Sequence, residues 1–240
     1  TPDYAKQTGK SRYMTMGFIA DGLFQSEEEI DNSPWISGSR PRVGDIKDKD
    51  LNGAGAITYD QDRAYIGRGQ RPQLNGSINL NASWKGLEFD VLFVGAAICD
   101  VSLTGTYYNW NEDNTIFTRP FKAGANSPRY LVEKAWTYDN PDAEYPRLSL
   151  NPPNTNNAYA SSFWYRDGKY LRLKSVHLGY TLPKSWTDKL RIQRVKVYVE
   201  GNNLLTWSGL PEGIDPEWPA VTNGYYPQQR TVVGGLEISF

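Results

Sequence analysis

The sequence has 240 residues, with 26 basic and 27 acidic side chains for a formal net charge of -1, and 13% of its residues are aromatic. The near-zero charge gives no electrostatic reason to expect nucleic acid as a partner, and the single cysteine, Cys99, excludes an internal disulfide and a cysteine-based zinc site. No basic segment followed by an apolar run opens the chain, and no stretch of about 18 apolar residues occurs, so we expect neither a signal peptide nor a membrane helix within it.

Alternation of apolar and polar residues predicts six β-strands. The clearest example is LNGSINLNASW at 74–84, in which Leu80 and its apolar neighbours share one side and the asparagines share the other. After the short link Lys85-Gly86 the alternation resumes, so the two segments predict a hairpin. The expected strands lie near residues 14–20, 74–84, 87–98, 164–180, 192–207 and 231–240.

Two local signals refine this prediction. In YLRLKSVHLGY the apolar phase shifts by one residue near Lys174 and Ser175, which indicates a β-bulge. Ser26 followed by Glu29 fits a capping box and predicts a short helix, and the stretch ANSPRYLVEKAWT predicts a second one. The rest of the long links is expected to be irregular, because it is rich in proline and asparagine.

The links between the expected strands alternate in length. Long links run through 21–73, 100–163 and 208–230, whereas the short ones are 85–86 and 181–191. Outer-membrane barrels have short periplasmic turns, long external loops, and strands that alternate between lipid and a wet lumen. Alternation alone would favour a soluble β-sandwich, but the loop asymmetry and the placement of the aromatic residues favour a barrel.

The predicted fold is therefore all-β, an antiparallel transmembrane β-barrel. Because six strands cannot close such a barrel, either the sequence is incomplete or partners supply the missing strands, and we expect residues 1–240 to be the C-terminal strands of a larger barrel, which in the large plugged transporters has about 22 strands. The expected membrane-interface anchors are Trp84, Tyr180 and Phe240, on the side of the short turns, so the C-terminus is expected at the periplasmic side. Trp164 and Trp207 are expected near the opposite interface.

Several stretches resemble, in order, the C-terminal region of SusC-like TonB-dependent transporters of Bacteroidetes. They are DGLFQSEEEI (21–30), VGDIKDKDLNGAGAITYDQDRAYIG (43–67), YLRLKSVHLGYTLPKSW (170–186), VKVYVEGNNLLTWS (195–208), GIDPEW (213–218) and YPQQRTVVGGLEISF (226–240). Residues 101–162 match no motif of that family, as expected of a variable external loop.

The resemblance implies TonB-dependent import of oligosaccharides or peptides across the outer membrane of a Gram-negative bacterium. It implies a SusD-like surface lipoprotein as partner, and energy from the TonB-ExbB-ExbD system through the missing N-terminal part. The plug domain and the signal peptide would lie outside this chain, and the plug, the remaining barrel strands and membrane lipid would be further contacts. The alternative function is a secreted or surface-exposed β-sandwich that binds carbohydrate.

The residues predict binding surfaces rather than a catalytic site. Exposed aromatic residues of the long loops are candidate substrate contacts: Tyr107, Tyr108, Trp110 and Trp136. The polar side of the strands is expected to face the lumen or the plug, through Asn75, Asn79, Asn81, Arg172, Lys196 and Glu200. The lone histidine, His177, has no nucleophile partner suggested by spacing, so no enzyme is expected.

A stretch that begins at Asp50 has the shape of a calcium loop, with oxygen-bearing side chains at alternate positions and a glycine turn. Compared with the family's version, Ala54 and Thr58 stand where carboxylates belong, and Asp62 comes one position late. We therefore expect Asp50, Asn52 and Asp62 to form a structural turn, with no cofactor and calcium only as a weaker alternative.

Overall fold

The computed structural model describes residues 2–38, 40–103, 129–149, 156–188, 191–217 and 228–240. Within these ranges the chain is mainly antiparallel β-structure. The strands are β1 (Thr15–Gly17), β2 (Ala20–Leu23), β3 (Ile46–Asp48), β4 (Ala64–Ile66), β5 (Leu74–Trp84), β6 (Leu87–Ala97), β7 (Asp100–Ser102), β8 (Tyr165–Asp167), β9 (Tyr170–Thr181), β10 (Arg194–Ser208) and β11 (Thr231–Ser239).

The chain divides into two units. The first unit contains the described parts of Thr1–Arg71 and Asp100–Asp167, and the second contains those of Pro72–Cys99, Gly168–Pro219 and Tyr226–Phe240. In the second unit five long strands form one antiparallel sheet in the order β11-β10-β9-β6-β5, so that β5 and β11 lie at its edges. β5 pairs with β6, and β9, β10 and β11 pair in chain order, whereas the central pair, β6 and β9, is joined through β7 and β8 of the first unit.

A β-bulge interrupts the pairing of β9 where the apolar phase shifts. Leu92 of β6 lies opposite Ser175, but the next residue, Phe93, lies opposite Leu173, so Lys174 is the extra residue. The pairing of β9 with β10 shifts at the same level, between Asn202 and Leu205. The predicted bulge is confirmed, and it restores the alternation of faces on either side of Lys174.

Short paired strands and a separate core build the first unit. Strand β1 pairs with β4, β2 with β3, and β7 with β8. Phe18, Ile36 and Ile57 are buried together, and Tyr159 packs against them. Outside these short strands and the short helices, the described parts of 21–73 and 100–163 are irregular, as expected, but their apolar residues meet across the sequence and form a core.

Two of the predicted strands are divided in the structure. Residues 14–20 do not form one strand of the large sheet, because Phe18 turns into the core between β1 and β2 and hydrogen-bonds to Ala160 and Ser162 instead. The segment 164–180 is split into β8 and β9, and Trp164 lies ahead of both. Trp164 is fully buried, so its expected place at a membrane interface is wrong.

The helices are short. They are α1 (Glu27–Asp31), α2 (Arg129–Glu133) and α3 (Lys184–Thr187), with 3-10 turns at Asp3–Ala5, Asn156–Ala158 and Ser162–Trp164. Both predicted helices are present as α1 and α2. Ser26 Oγ accepts from the Glu29 backbone N–H at 3.0 Å, and the Glu29 carboxylate accepts from the Gln25 N–H at 2.7 Å. Across the described ranges, no helix is long and apolar enough to span a membrane.

The carboxyl group of Asp48, on β3, is almost completely buried in the first unit. Its Oδ1 accepts a hydrogen bond of 2.9 Å from Ser161 Oγ, whereas its Oδ2 has no hydrogen-bond partner. Burial disfavours the charged form and raises the pKa of Asp48 from 3.8 to about 6, against the lowering effect of Ser161. At neutral pH the folded protein therefore contains an ionised Asp48 side chain that is shielded from water.

We expect this group to make the first unit less stable as the pH rises. Because the pKa of Asp48 is raised in the folded state, the contribution of Asp48 to the free energy of unfolding is most favourable below pH 3.8 and is lost as the pH passes about 6. By linkage this loss is about 3 kcal/mol. Asp48→Asn keeps the acceptor for Ser161 and cannot ionise. Hydrogen exchange of 46–48 and 161–164 in the whole protein should be equal for both forms at pH 4 and up to about a hundredfold slower in the variant at pH 7.5. A difference independent of pH would contradict this.

Candidate functional site

The sheet of the second unit has a continuous apolar face. Residues directly opposite each other in neighbouring strands share a face. One row runs from Trp84 through Leu87, Tyr180 and Val197 to Leu236. Each of these five side chains is at least 40% exposed. Exposed apolar patches of this extent mark surfaces that contact a membrane or another protein.

The exposure of this face distinguishes the barrel from the sandwich. A β-sandwich would bury Leu80, Val197 and Leu236 against a second sheet. In the structure these side chains are 54%, 49% and 62% exposed, respectively. Within the described ranges, no second sheet covers this face as a soluble sandwich would require, and the face has the composition of a surface that faces hydrocarbon.

The three expected interface anchors are exposed and lie at one end of the sheet. Trp84 directly precedes the Lys85-Gly86 turn, and the Lys85 Nζ lies 4.8 Å from the centre of a Trp84 ring. Tyr180 shares the row of Trp84, and Phe240 follows the last residue of β11. Phe240 is 82% exposed. Their role as membrane anchors stays a prediction.

The opposite face of the same sheet is polar. One row contains Asn81, Asp90, His177 and Glu200. The register and the alternation place the six residues expected to face a lumen together on this side: Asn75, Asn79, Asn81, Arg172, Lys196 and Glu200. The shared face agrees with the expectation, whereas the lumen itself stays a prediction. His177 stacks on Tyr198 with ring centres 5.4 Å apart, which is a packing role.

A buried group of charges fixes a loop segment to this polar face. The Arg172 side chain is 3% exposed and donates to Thr206 Oγ1 at 2.9 Å and to Asp215 Oδ1 at 2.8 Å. Its Nη1 lies 3.0 Å from Glu217 Oε2, which also lies 3.1 Å from Lys174 Nζ. Two cations thus face two carboxylates in a largely desolvated site.

Sequence reasoning found only half of this charge group. The alternation of β9 placed Arg172 on the polar side, but Asp215 and Glu217 follow β10 in an irregular segment that carries no periodic signal. The stretch GIDPEW was noted only for its resemblance to the family. The opposite charges in the two stretches were the available clue, and nothing in the sequence alone linked them.

A second, more exposed charge group lies near the short turns. Lys196 donates to the Glu88 carboxylate, and Arg194 lies 3.9 Å from Glu88 and 4.0 Å from Glu237. Ion pairs between partly exposed side chains of this kind are screened by water and stabilise little. Arg194 is thus an exposed counterpart of the buried Arg172.

Of the four aromatic residues expected to contact substrate, Tyr107, Tyr108 and Trp110 lie outside the described residues. Trp136 lies in the first unit and is 3% exposed, so the expectation that it is an exposed loop residue is wrong. Its ring packs on Gly44, where φ is 89° and where a Cβ would overlap the ring, and its Nε1 donates to Gln25 Oε1 at 3.1 Å. Among the aromatic residues of the described stretch 129–149, the exposed one is Tyr138, which the sequence did not single out.

The calcium-like loop uses its oxygen atoms to bind backbone amides. The Asp50 carboxylate accepts from Gly53 and Gly55 at 2.7 Å each, and these bonds hold the pKa of Asp50 below its ordinary value. The buried Asp62 carboxylate accepts from Leu51 at 3.0 Å and from Thr58 at 2.8 Å. In the described part of the chain, no three His, Cys, Asp or Glu side chains form a possible metal site.

We expect this loop to keep its shape without calcium, because its carboxylates already have amide donors. Calcium titration of the whole protein should leave hydrogen exchange of 50–62 unchanged. Asp50→Ala should loosen the loop in buffer with or without calcium, since it removes several hydrogen bonds. Slower exchange on addition of calcium, abolished by Asp50→Ala, would contradict the expectation.

Two proteins with similar sequences are TonB-dependent receptors. No protein-family model matches the chain. The chain is 33% identical over 240 residues to TonB-dependent receptor P26 of Formosa agariphila, covering 91% of this chain and 22% of the receptor. It is 29% identical over 237 residues to TonB-dependent receptor P3 of the same organism, covering 93% of this chain and 22% of that receptor. The chain thus spans about a fifth of the length of these relatives.

Solved structures share the fold. The structure of the RagAB peptide importer in the open-open state matches with a TM-score of 0.61 and 23% identity, covering 95% of this chain and 22% of that chain. The structure of the RagAB peptide transporter matches with a TM-score of 0.62 and 22% identity, again over 95% of this chain and 22% of that chain. Together with the two faces of the sheet, these matches fit the C-terminal part of a SusC-like TonB-dependent receptor.

Proposed function

We propose that this chain contributes the last strands of the barrel of a TonB-dependent transporter, which imports nutrients across the outer membrane of a Gram-negative bacterium. The observation that carries the proposal is the exposed apolar face of the five-stranded sheet, backed by a polar face with buried ion pairs. This is the arrangement that a strand needs when lipid lies on one side and an aqueous interior lies on the other. The TonB-dependent relatives support the same assignment.

In the proposed transporter, different surfaces of this chain would contact different partners. Outer-membrane lipid would contact the apolar face, with the C-terminus at the periplasmic side. The plug and the remaining strands would come from the rest of the protein, and the plug would receive energy from TonB-ExbB-ExbD. A SusD-like lipoprotein would meet the external loops, as the SusC-like resemblance implies. Substrate would be an oligosaccharide or a peptide, and the matched RagAB structures are described as a peptide importer.

The proposal assigns carriage rather than catalysis to this chain. His177 stacks on Tyr198, and its row on the sheet contains carboxylates and amides rather than a nucleophile. Lys196 and Glu88, on the same polar face, form an ion pair with each other. The relatives are receptors, which supports a role without chemistry on the substrate.

The test uses the complete gene in its own host. The protein should fractionate with the outer membrane, require detergent for extraction, and run as a heat-modifiable band. Uptake of labelled oligosaccharides and peptides by intact cells should fall when the gene is deleted, and should fall equally when tonB is deleted. Recovery in the soluble fraction, or uptake that persists without TonB, would refute the proposal.

A further inference from the structure

A groove of about 300 Å³ opens in the first unit beside α2. Val132 and Leu148 give it aliphatic walls, Trp136 and Tyr138 give it aromatic walls, and Arg147 completes the set of large lining side chains. Ala135 and Thr137 contribute the remainder. The size suits one amino-acid side chain with part of its backbone, rather than a whole oligomer.

The walls of the groove are held in place by the surrounding backbone. The Trp136 N–H donates to the Tyr145 carbonyl at 2.9 Å, and the Arg147 N–H donates to the Gly44 carbonyl at 2.8 Å. The ring of Trp136 is fixed by its contact with Gly44 and by its hydrogen bond to Gln25. A ligand would therefore enter a preformed site, which reduces the entropy that binding must overcome.

The outer wall remains available to a ligand. Tyr138 is 75% exposed, and its ring meets the Trp136 ring edge-on, with centres 5.0 Å apart and an angle of 66° between the planes. Val132, across the groove, is 49% exposed. A buried indole with an exposed phenol beside it offers apolar contact and one hydroxyl group at the rim.

Charge in the groove has one sign. Arg147 is the only charged residue among the lining residues, and it is half-buried. The nearby Lys134 pairs with Glu144 at 2.7 Å, but Arg147 has no carboxylate within ion-pair distance among the residues that the structure describes. A guanidinium binds a carboxylate through two parallel hydrogen bonds, so an anionic group on the ligand would complete the site.

The rest of the lining favours an apolar ligand over a sugar. A saccharide ring needs hydrogen-bond partners for several hydroxyl groups, and unsatisfied ones are costly once they leave water. Besides Arg147, only Thr137 and Tyr138 have polar side chains here. A leucine-like or aromatic side chain next to a carboxylate matches both the apolar walls and the guanidinium.

We propose that this groove binds the C-terminal residue of a short peptide, with its apolar side chain packed against the groove-facing sides of Trp136 and Tyr138 and its terminal carboxylate on Arg147. This inference rests on the proposed transport function and narrows its substrate class to peptides. A uronic-acid oligosaccharide carries the same carboxylate on a hydroxylated ring, and it is the competing ligand in the test.

The experiment measures calorimetric binding to the purified whole transporter together with its lipoprotein. The probes are the tripeptide Ala-Ala-Leu, the same tripeptide with a C-terminal amide, and trigalacturonate. Wild type should bind the acid at least about tenfold more tightly than the amide, because a charge-assisted hydrogen bond is lost. Arg147→Gln should weaken binding of the tripeptide acid by about tenfold and leave binding of the tripeptide amide unchanged. Tyr138→Ala should weaken binding of both.

Arg63→Gln is the matched control, because Arg63 is likewise a half-buried arginine of the first unit, with its guanidinium 3.5 Å from the Tyr59 ring centre, but it lines no part of the groove. It should bind all probes like wild type, and every variant should show the heat-modifiable band. No binding of the acid, equal binding of acid and amide, tighter binding of trigalacturonate, or an unaffected Arg147→Gln would each overturn the inference. TonB-dependent uptake measured in the same strains separates that result from failure of the proposed function.

Discussion

Leu80→Arg is expected to prevent most of the protein from assembling in the outer membrane. Leu80 lies near the middle of β5 on the apolar face and is 54% exposed. If that face contacts lipid, a guanidinium there must leave water for hydrocarbon, at a cost of about 2–4 kcal/mol near the bilayer midplane. The measurement is the folded fraction of the whole protein, read from its heat-modifiable band in membranes as urea is increased.

Asn79→Arg provides the matched control. Asn79 is the neighbouring residue on the same strand, but it points to the polar face opposite Leu92. The same charge there should be tolerated with less than about 1 kcal/mol of destabilisation, because an aqueous or protein-lined interior solvates it. Equal effects of the two substitutions would show that the two faces do not differ in environment, and the assignment of the apolar face to lipid would be wrong.

Arg172→Met is expected to release the loop segment that carries Asp215 and Glu217. The three side chains are 3%, 9% and 19% exposed, so the substitution leaves largely buried carboxylates without their main partner. Breaking a buried pair in this way costs about 3–5 kcal/mol. Hydrogen exchange of 210–217 in the whole protein should therefore become much faster, with little change in the centre of β9.

Two further variants make this result specific. Arg194→Met removes a cation that is 45% exposed and whose pairs are 3.9 and 4.0 Å long, so exchange of 210–217 should stay as in wild type. Combining Arg172→Met with Asp215→Asn removes one stranded charge and should restore part of the protection. If the double variant exchanged as fast as Arg172→Met alone, the charge group would not be what holds the segment.

The long strands could be predicted because their environment imposes a regular pattern. A strand with one apolar and one polar neighbour must alternate, so β5, β6, β10 and β11 are visible in the sequence to within about two residues. The bulge at Lys174 was visible for the same reason, since an extra residue shifts the phase of the alternation. These strands could be predicted because every second residue must be apolar and the residues between must be polar.

The first unit could not be predicted in this way. Phe18, Ile36 and Ile57 come together from three separate segments, and no periodic spacing connects them. Trp136 and Tyr138 show the difficulty at single-residue scale, because the two rings are adjacent in space yet one is buried and the other exposed. Which of them is covered depends on Gly44, about ninety residues earlier, and on a close approach that only a glycine permits.

The edge positions of β5 and β11 have a practical consequence. Among the residues that the structure describes, each strand has a hydrogen-bonded neighbour on one side only, over 11 and 9 residues respectively, so its other side presents a row of backbone amides and carbonyls. Such rows act as templates on which further copies can add, and within lipid each unsatisfied group is costly. The 240-residue chain expressed alone would therefore tend to form fibrils or inclusion bodies. Adjoining strands that pair with β5 and β11 would prevent this aggregation.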